Sequence, residues 1–213
     1  MKSTTIVAVG GFTSNSGKTT LVCELLRALH GWEAIKMTRG HYRSCGKDPH
    51  ACCVSHLLGA EPVIRSGRAE TFTPDKDTGR YWEAGAANVH WAIATDAQVG
   101  PAVSRALALV ESPGVLIEGN SFLKYVEADF TLMVARPDES KIKPSARRAL
   151  SKTSALYLSG EVAVDGVEGA DGLNEWRERT GLGEVLESLP VYTPARLENL
   201  VERIKSIGAR AAA

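Results

Sequence analysis

Long apolar runs are missing from this chain, and none approaches the ~20 residues a helix needs to cross a bilayer. Charge of one sign is missing too: 25 Lys and Arg stand against 25 Asp and Glu, a formal net charge of zero. Bulk charge therefore gives no sign of a nucleic-acid or anionic-membrane partner. Four cysteines in 213 residues make no disulfide framework, so reducing surroundings are expected. No low-complexity tract is present, and the Ala-rich end, Ala209 to Ala213, reads as a frayed tail. No apolar segment follows Lys2, so no leader peptide is read, and a cleaved one would take with it a glycine-rich loop that starts at Gly10. The expectation is a cytoplasmic protein of ordinary single-domain size, residues 1–213.

What is present centres on Gly10-Gly11-Phe12-Thr13-Ser14-Asn15-Ser16-Gly17-Lys18-Thr19-Thr20. It follows a short apolar run, Ile6 to Val9, and opens an amphipathic one, Leu21 to Leu29. Strand, glycine-rich turn, Gly-Lys-Thr and helix is the context of a phosphate loop. Backbone N–H groups at the helix start point at an anion, and the helix dipole favours negative charge there. Gly11, Asn15, Ser16, Gly17, Lys18, Thr19 and Thr20 are the candidate nucleotide-binding residues. Lys18 would reach the β- and γ-phosphates, and the Thr19 hydroxyl would hold magnesium. One departure stands out: Gly11 and Gly17 enclose five residues, so the loop is long by one, and Phe12 sits where glycine is expected.

Along the chain, apolar runs alternate with helical patterns, which argues a mostly parallel sheet with helices on both faces, a three-layer α/β architecture. Strands are expected at Thr4–Gly10, Ala34–Met37, Pro62–Ile64, Asn88–Thr95, Val115–Ile117, Phe130–Ala135 and Ala155–Leu158. Helices are expected at Thr19–Leu29, Ala51–Leu58, Asp77–Ala86, Val99–Val110 and Ser145–Leu150. A last helix is expected from Thr193-Pro194, threonine as cap, to Ile207 before Gly208. Ligands bind beyond the carboxyl ends of such strands, where the loop, the residues after Lys36, and Glu118 all fall.

Glu118 can bind magnesium or orient a nucleophile, or simply end a strand as a solvated acid. Lys36 is a second phosphate cation or a surface lysine with a buried stem. Asp48 and Asp77 sit in similar stretches, Gly46-Lys47-Asp48 and Lys76-Asp77-Thr78, so either can reach the metal. Lys141, Lys143, Arg147 and Arg148 cover phosphates or form a solvated helix face. Between about residues 38 and 74 lies an insertion with His41, Cys45, His50, Cys52, Cys53 and His56. Cys45, Cys52 and Cys53 are candidate ligands for zinc or an iron–sulfur cluster, although no Cys-x-x-Cys is present. Cys23 reads as a buried apolar residue. No Asn-Lys-x-Asp follows Ala155–Leu158, so the base, adenine or guanine, stays open.

On these residues the sequence resembles MobB, the nucleotide-binding adaptor of molybdopterin-guanine dinucleotide biosynthesis, within the SIMIBI class of P-loop NTPases. Ser14-Asn15-Ser16-Gly17-Lys18-Thr19-Thr20-Leu21, Ile35-Lys36, Lys76-Asp77-Thr78-Gly79-Arg80 with Glu83-Ala84-Gly85-Ala86, and Ile117-Glu118-Gly119 carry the likeness. Met37, Thr38 and Arg39 replace that family's histidines, and residues from Val162 on have no counterpart in it. The longer loop also resembles dethiobiotin synthetase, an ATP-dependent ligase. The resemblance implies ATP or GTP binding with magnesium, slow hydrolysis serving cofactor biosynthesis, a homodimer and a protein partner. It assigns catalysis to Lys18, Lys36 and Glu118, and magnesium to Thr19, Asp77 and Glu118. Two other functions stay open: a ligase or small-molecule kinase of the dethiobiotin synthetase kind, and a metal-cofactor chaperone under nucleotide control.

Overall fold

The computed structural model describes residues 4–40, 54–139, 141–160, 167–182 and 186–211. Among these residues eight strands form one sheet: β1 (Thr5–Gly11), β2 (Glu33–Arg39), β3 (Val63–Ser66), β4 (Val89–Ala94), β5 (Gly114–Glu118), β6 (Phe130–Ala135), β7 (Ala155–Leu158) and β8 (Val191–Tyr192). Their order is β3-β4-β2-β5-β1-β6-β7-β8. All pairs are parallel except β3 with β4. The helices are α1 (Lys18–Ala28), α2 (Arg68–Thr71), α3 (Asp77–Glu83), α4 (Val99–Leu107), α5 (Pro144–Ala149), α6 (Val167–Thr180) and α7 (Leu197–Ala211).

The pleat divides the core into two layers. On β1, Val7 and Val9 pack with α1, Tyr81 of α3, and Leu200, Val201 and Ile204 of α7. Ala8 faces the other way, with Val99 and Val103 of α4, Ala146 of α5 and Trp176 of α6. Strands buried on both faces read as continuous apolar runs, which is why β5 and β6 stand out in the sequence.

Several boundaries differ from the sequence reading. Of the helix expected at Ala51–Leu58, the described part is a single 3₁₀ turn, Ser55–Leu57. β3 joins the main sheet at its edge as the antiparallel strand. The last helix runs through Gly208 to Ala211, because packing of its apolar stripe overrides the ~1 kcal/mol cost of glycine. Thr193 precedes it in extended backbone but makes no side-chain cap bond. α2, β8 and α6 are elements the sequence reading does not contain.

The end of the strands away from the loop is tied by a buried pair. Glu33 opens β2, and its Oε2 lies 2.6 Å from His90 Nε2. Its Oε1 accepts the backbone N–H of Glu111 (2.9 Å) and Ser112 (2.8 Å). Both side chains are buried. Glu33→Ala orphans these donors at once, and a loss of about 3 kcal/mol is expected. Urea denaturation checks it; a loss below ~1 kcal/mol would show the pair to be dispensable.

Candidate functional site

The loop is held from both sides. Gly11 ends β1, and its N–H donates to Asn120 Oδ1 (2.8 Å) while Asn120 Nδ2 donates to its carbonyl (2.9 Å). A side chain at Gly11 would put Cβ 2.4 Å from Ser16 Oγ and 2.8 Å from Lys18 Cδ, so the close approach requires glycine. On the other side, Ser159 after β7 donates its hydroxyl to the Ser16 carbonyl (2.7 Å). Phe12 turns out of the loop. It is buried, and its ring meets Trp176 edge-on, centroids 5.1 Å apart. The side chain in the expected glycine position is thus spent on the α6 layer and leaves the loop's mouth clear. Gly17, in the left-handed region at φ 89°, turns the chain into α1. No side chain caps that helix and its first turn holds no acid, so its leading N–H groups are left for an anion.

Lys18 folds back over the loop. Its ammonium donates to the carbonyls of Thr13 and Ser14 (both 3.1 Å) and to Ser16 Oγ (3.3 Å). Burial lowers its pKa from the usual 10.5, and Glu118 only partly offsets this. A polyphosphate would hold that proton more tightly than the Thr13 and Ser14 carbonyls and the Ser16 hydroxyl do. Nucleotide affinity is therefore expected to be full at neutral pH and to fall as pH rises through the lowered pKa, before 10.5 is reached. Calorimetry against pH reads this; affinity constant to pH 10.5 would contradict it.

Strand register builds the other half. Lys36 on β2 pairs with Glu118 on β5, which in turn pairs with Val9 on β1, so all three lie level just below the loop. Lys36 Nζ bridges Glu118 Oε1 and Asp77 Oδ2, 2.5 Å from each. Thr19 Oγ1 donates to Glu118 Oε2 (2.9 Å), and the Tyr81 hydroxyl of α3 donates closely to the same oxygen. Glu118 is 3% exposed, whereas the Asp77 side chain is 43% exposed. Burial would raise the Asp77 pKa, but the charge and hydrogen bond of Lys36 outweigh it and hold the carboxyl below its usual range. Burial, reinforced by the Glu118 charge, pushes the Tyr81 hydroxyl well above its usual value and keeps it a neutral donor.

These groups open on one cleft of about 490 Å³. Gly11, Asn15, Gly17, Lys18, Thr19, Thr20, Lys36, Asp77 and Glu118 line it. Ser16 is fully buried beneath it. Five cations (Lys18, Lys36, Arg39, Arg80, Lys143) face two acids (Asp77, Glu118), a surplus of three positive charges that suits a polyanion. The Thr19 hydroxyl and the two carboxylates are hard oxygen donors, the set magnesium takes alongside phosphate oxygens. Among the described residues no three His, Cys, Asp or Glu side chains group to hold a metal. The donor set fits an ion that arrives with phosphate.

With sheet and loop in place, comparison with solved structures decides the architecture. HypB, the hydrogenase maturation factor from Archaeoglobus fulgidus, matches with a TM-score of 0.55 over 96% of this chain and 90% of that one, at 12% identity. HypB from Helicobacter pylori, in complex with nickel, matches with a TM-score of 0.53 over 97% and 88%, also at 12% identity. The fold is that of a P-loop NTPase. No protein-family profile and no curated protein matches the sequence. Identity this low establishes the fold alone.

Other residues named from sequence fall elsewhere. Cys45, Cys52, Cys53, His41, His50 and Asp48 lie outside the described residues. His56 is exposed on the Ser55–Leu57 turn. Cys23 is buried, its thiol near the Arg80 carbonyl (3.6 Å), and burial raises its pKa. The basic run divides: Lys143 lines the cleft, while Arg147 reaches the Thr180 carbonyl (3.5 Å). Sequence reading missed Tyr81, Asn120, Ser159 and Arg80, which donates to Thr20 Oγ1 (3.3 Å). Asn120 and Ser159 had a signal, as polar residues just past apolar strands. Tyr81 had none.

Among the described residues no helix is long and apolar enough to cross a membrane.

Proposed function

We propose that the protein binds a nucleoside triphosphate, ATP or GTP, with magnesium and hydrolyses it. In this reading it acts as a MobB-like, cytoplasmic NTPase in cofactor biosynthesis, as a homodimer with a protein partner. The observation that carries the nucleotide part is the meeting of Lys18, Thr19, Lys36, Asp77 and Glu118 in one cationic cleft. A second hollow of about 620 Å³ opens on the far side of the loop and shares Asn15, Gly17 and Thr20 with the first. It lies between Arg136–Asp138 and Ser159–Gly160 and offers room for base and ribose.

In this reading the N–H groups at the start of α1 hold the β-phosphate. Lys18 moves from the Thr13 and Ser14 carbonyls to the β- and γ-phosphates. Lys36 leaves its carboxylates for the transferring phosphate, and Glu118 orients the attacking water. Thr19, Asp77 and Glu118 would hold magnesium, which would supply positive charge against that of the phosphates. Asp77 has a place in the cleft that supports it as the metal carboxylate.

A ligase or kinase of the dethiobiotin synthetase kind is the second reading, favoured by another cleft that shares Arg39, Asn120, Ser121 and Ser145 with the first. A metal-chaperone function would need Cys45, Cys52 and Cys53. Calorimetry with magnesium and ATP or GTP tests the nucleotide claim, and no heat at about millimolar ligand would overturn it. Steady phosphate release without any metabolite supports hydrolysis over transfer to an acceptor.

A further inference from the structure

Next to the nucleotide cleft lies another of about 590 Å³, sharing Arg39, Asn120, Ser121 and Ser145 with it. Volume in this range suits a small molecule. Its walls come from separate elements: Val99 opens α4, Leu123 and Tyr125 follow β5, and Ala149 ends α5. These side chains give it an apolar floor. Tyr125 is 46% exposed, one of two large apolar side chains so open among the described residues.

The charges around that floor are one-sided. Arg39, Lys124, Arg148 and Lys152 line the cleft against a single acid, Asp96. Asp96 is already taken by Arg39 (3.1 Å), and Lys152 reaches out to Glu127 (2.5 Å). Lys124 lies over the Tyr125 ring, 5.4 Å from its centroid, and pairs with no carboxylate among the described residues. Arg148 is exposed and likewise pairs with none among them. Two uncompensated cations at one apolar hollow, in a chain of zero net charge, describe a receptor for an anion with an apolar body.

We propose that this cleft binds a small organic acid, an apolar body carrying a carboxylate or a phosphate, with Arg148 and Lys124 holding the anionic group against the Tyr125 ring. A guanidinium offers a two-pronged donor that matches either head group. The apolar body gains by leaving water for Val99, Leu123 and Ala149. The cleft is the one that favours the second reading above, and the proposal rests on that reading for its place beside the nucleotide, although neither residue named for the anion lines the nucleotide cleft.

Calorimetry on the full chain tests this with three probes: phenylacetate, phenyl phosphate and the neutral benzyl alcohol. Both head groups are tried because the stronger of the two acids names the source. The acids are expected to bind at least about tenfold more tightly than the alcohol, and Arg148→Glu to weaken them by about tenfold or more. Nucleotide affinity is expected to stay within about twofold in that variant. Lys124→Glu, with its fold checked by circular dichroism, repeats the test if Arg148→Glu does not fold. Equal binding of alcohol and acids, an unchanged acid affinity in the folded variants, or no acid bound at about 10 mM would each overturn the proposal. Acids bound by a protein that takes no nucleotide would support this site while removing the nucleotide reading.

Discussion

Lys18→Ala is expected to raise the nucleotide Kd by at least about a hundredfold. The ammonium would give two charge-assisted hydrogen bonds to the polyphosphate, worth about 1.5 kcal/mol each at the low end, and ~3 kcal/mol is roughly two decades in Kd. The same change should not weaken the fold. Burial already depresses the lysine's pKa, so its charge is held in an unfavourable place, and its hydrogen bonds go only to the loop's own carbonyls and to Ser16. The thermal midpoint of the unliganded variant is expected to hold or rise. Titration calorimetry with a melting curve reads both quantities. A Kd within about threefold of the parent would mean that the loop does not hold phosphate through Lys18.

Glu118→Ala carries the other large effect, and it is double. Without the carboxylate, the buried Tyr81 hydroxyl loses its acceptor and the largely buried Lys36 loses one of two counter-charges. Breaking such a buried set costs about 3 kcal/mol of stability. Nucleotide turnover should also fall by roughly a thousandfold, since positioned charge at the reacting phosphate carries most of the rate in this chemistry. Glu118→Gln separates the two. It keeps the volume and an oxygen for Tyr81, so stability should recover most of the loss while turnover stays low. Urea denaturation beside phosphate release distinguishes the outcomes. Turnover that recovers with stability would make Glu118 a structural acid only.

What could be read from the sequence divides along a physical line. The loop, α1 and β1 are local: Gly-Lys-Thr between an apolar run and an amphipathic one specifies its own shape. Lys36 and Glu118 were legible as charged ends of apolar strands, and parallel register then set them level. Tyr81 was not legible, because an aromatic in a short helix gives no hint of which acid it meets. Its role depends on α3 lying against α1 across the level of Glu118. The stretch from Val162 to Tyr192 was silent for a related reason. The described part of α6 is held by Trp176, whose ring meets Phe12 and whose Nε1 donates to the Glu139 carbonyl (2.8 Å). Edge strand β8 has two residues, too few for a periodic pattern. Gly208 was misread as a helix end because glycine's local preference was weighed without the packing that overrides it.

The contacts that shape the phosphate loop come from far along the chain. Asn120 stands 109 residues from Gly11, and Ser159 stands 143 residues from Ser16. Transplanting Gly10–Thr20 into a foreign sheet would therefore carry the letters without the mould. A host would need an amide past the strand next to the loop's own and a hydroxyl past the strand two places away on the other side before the graft could take its form.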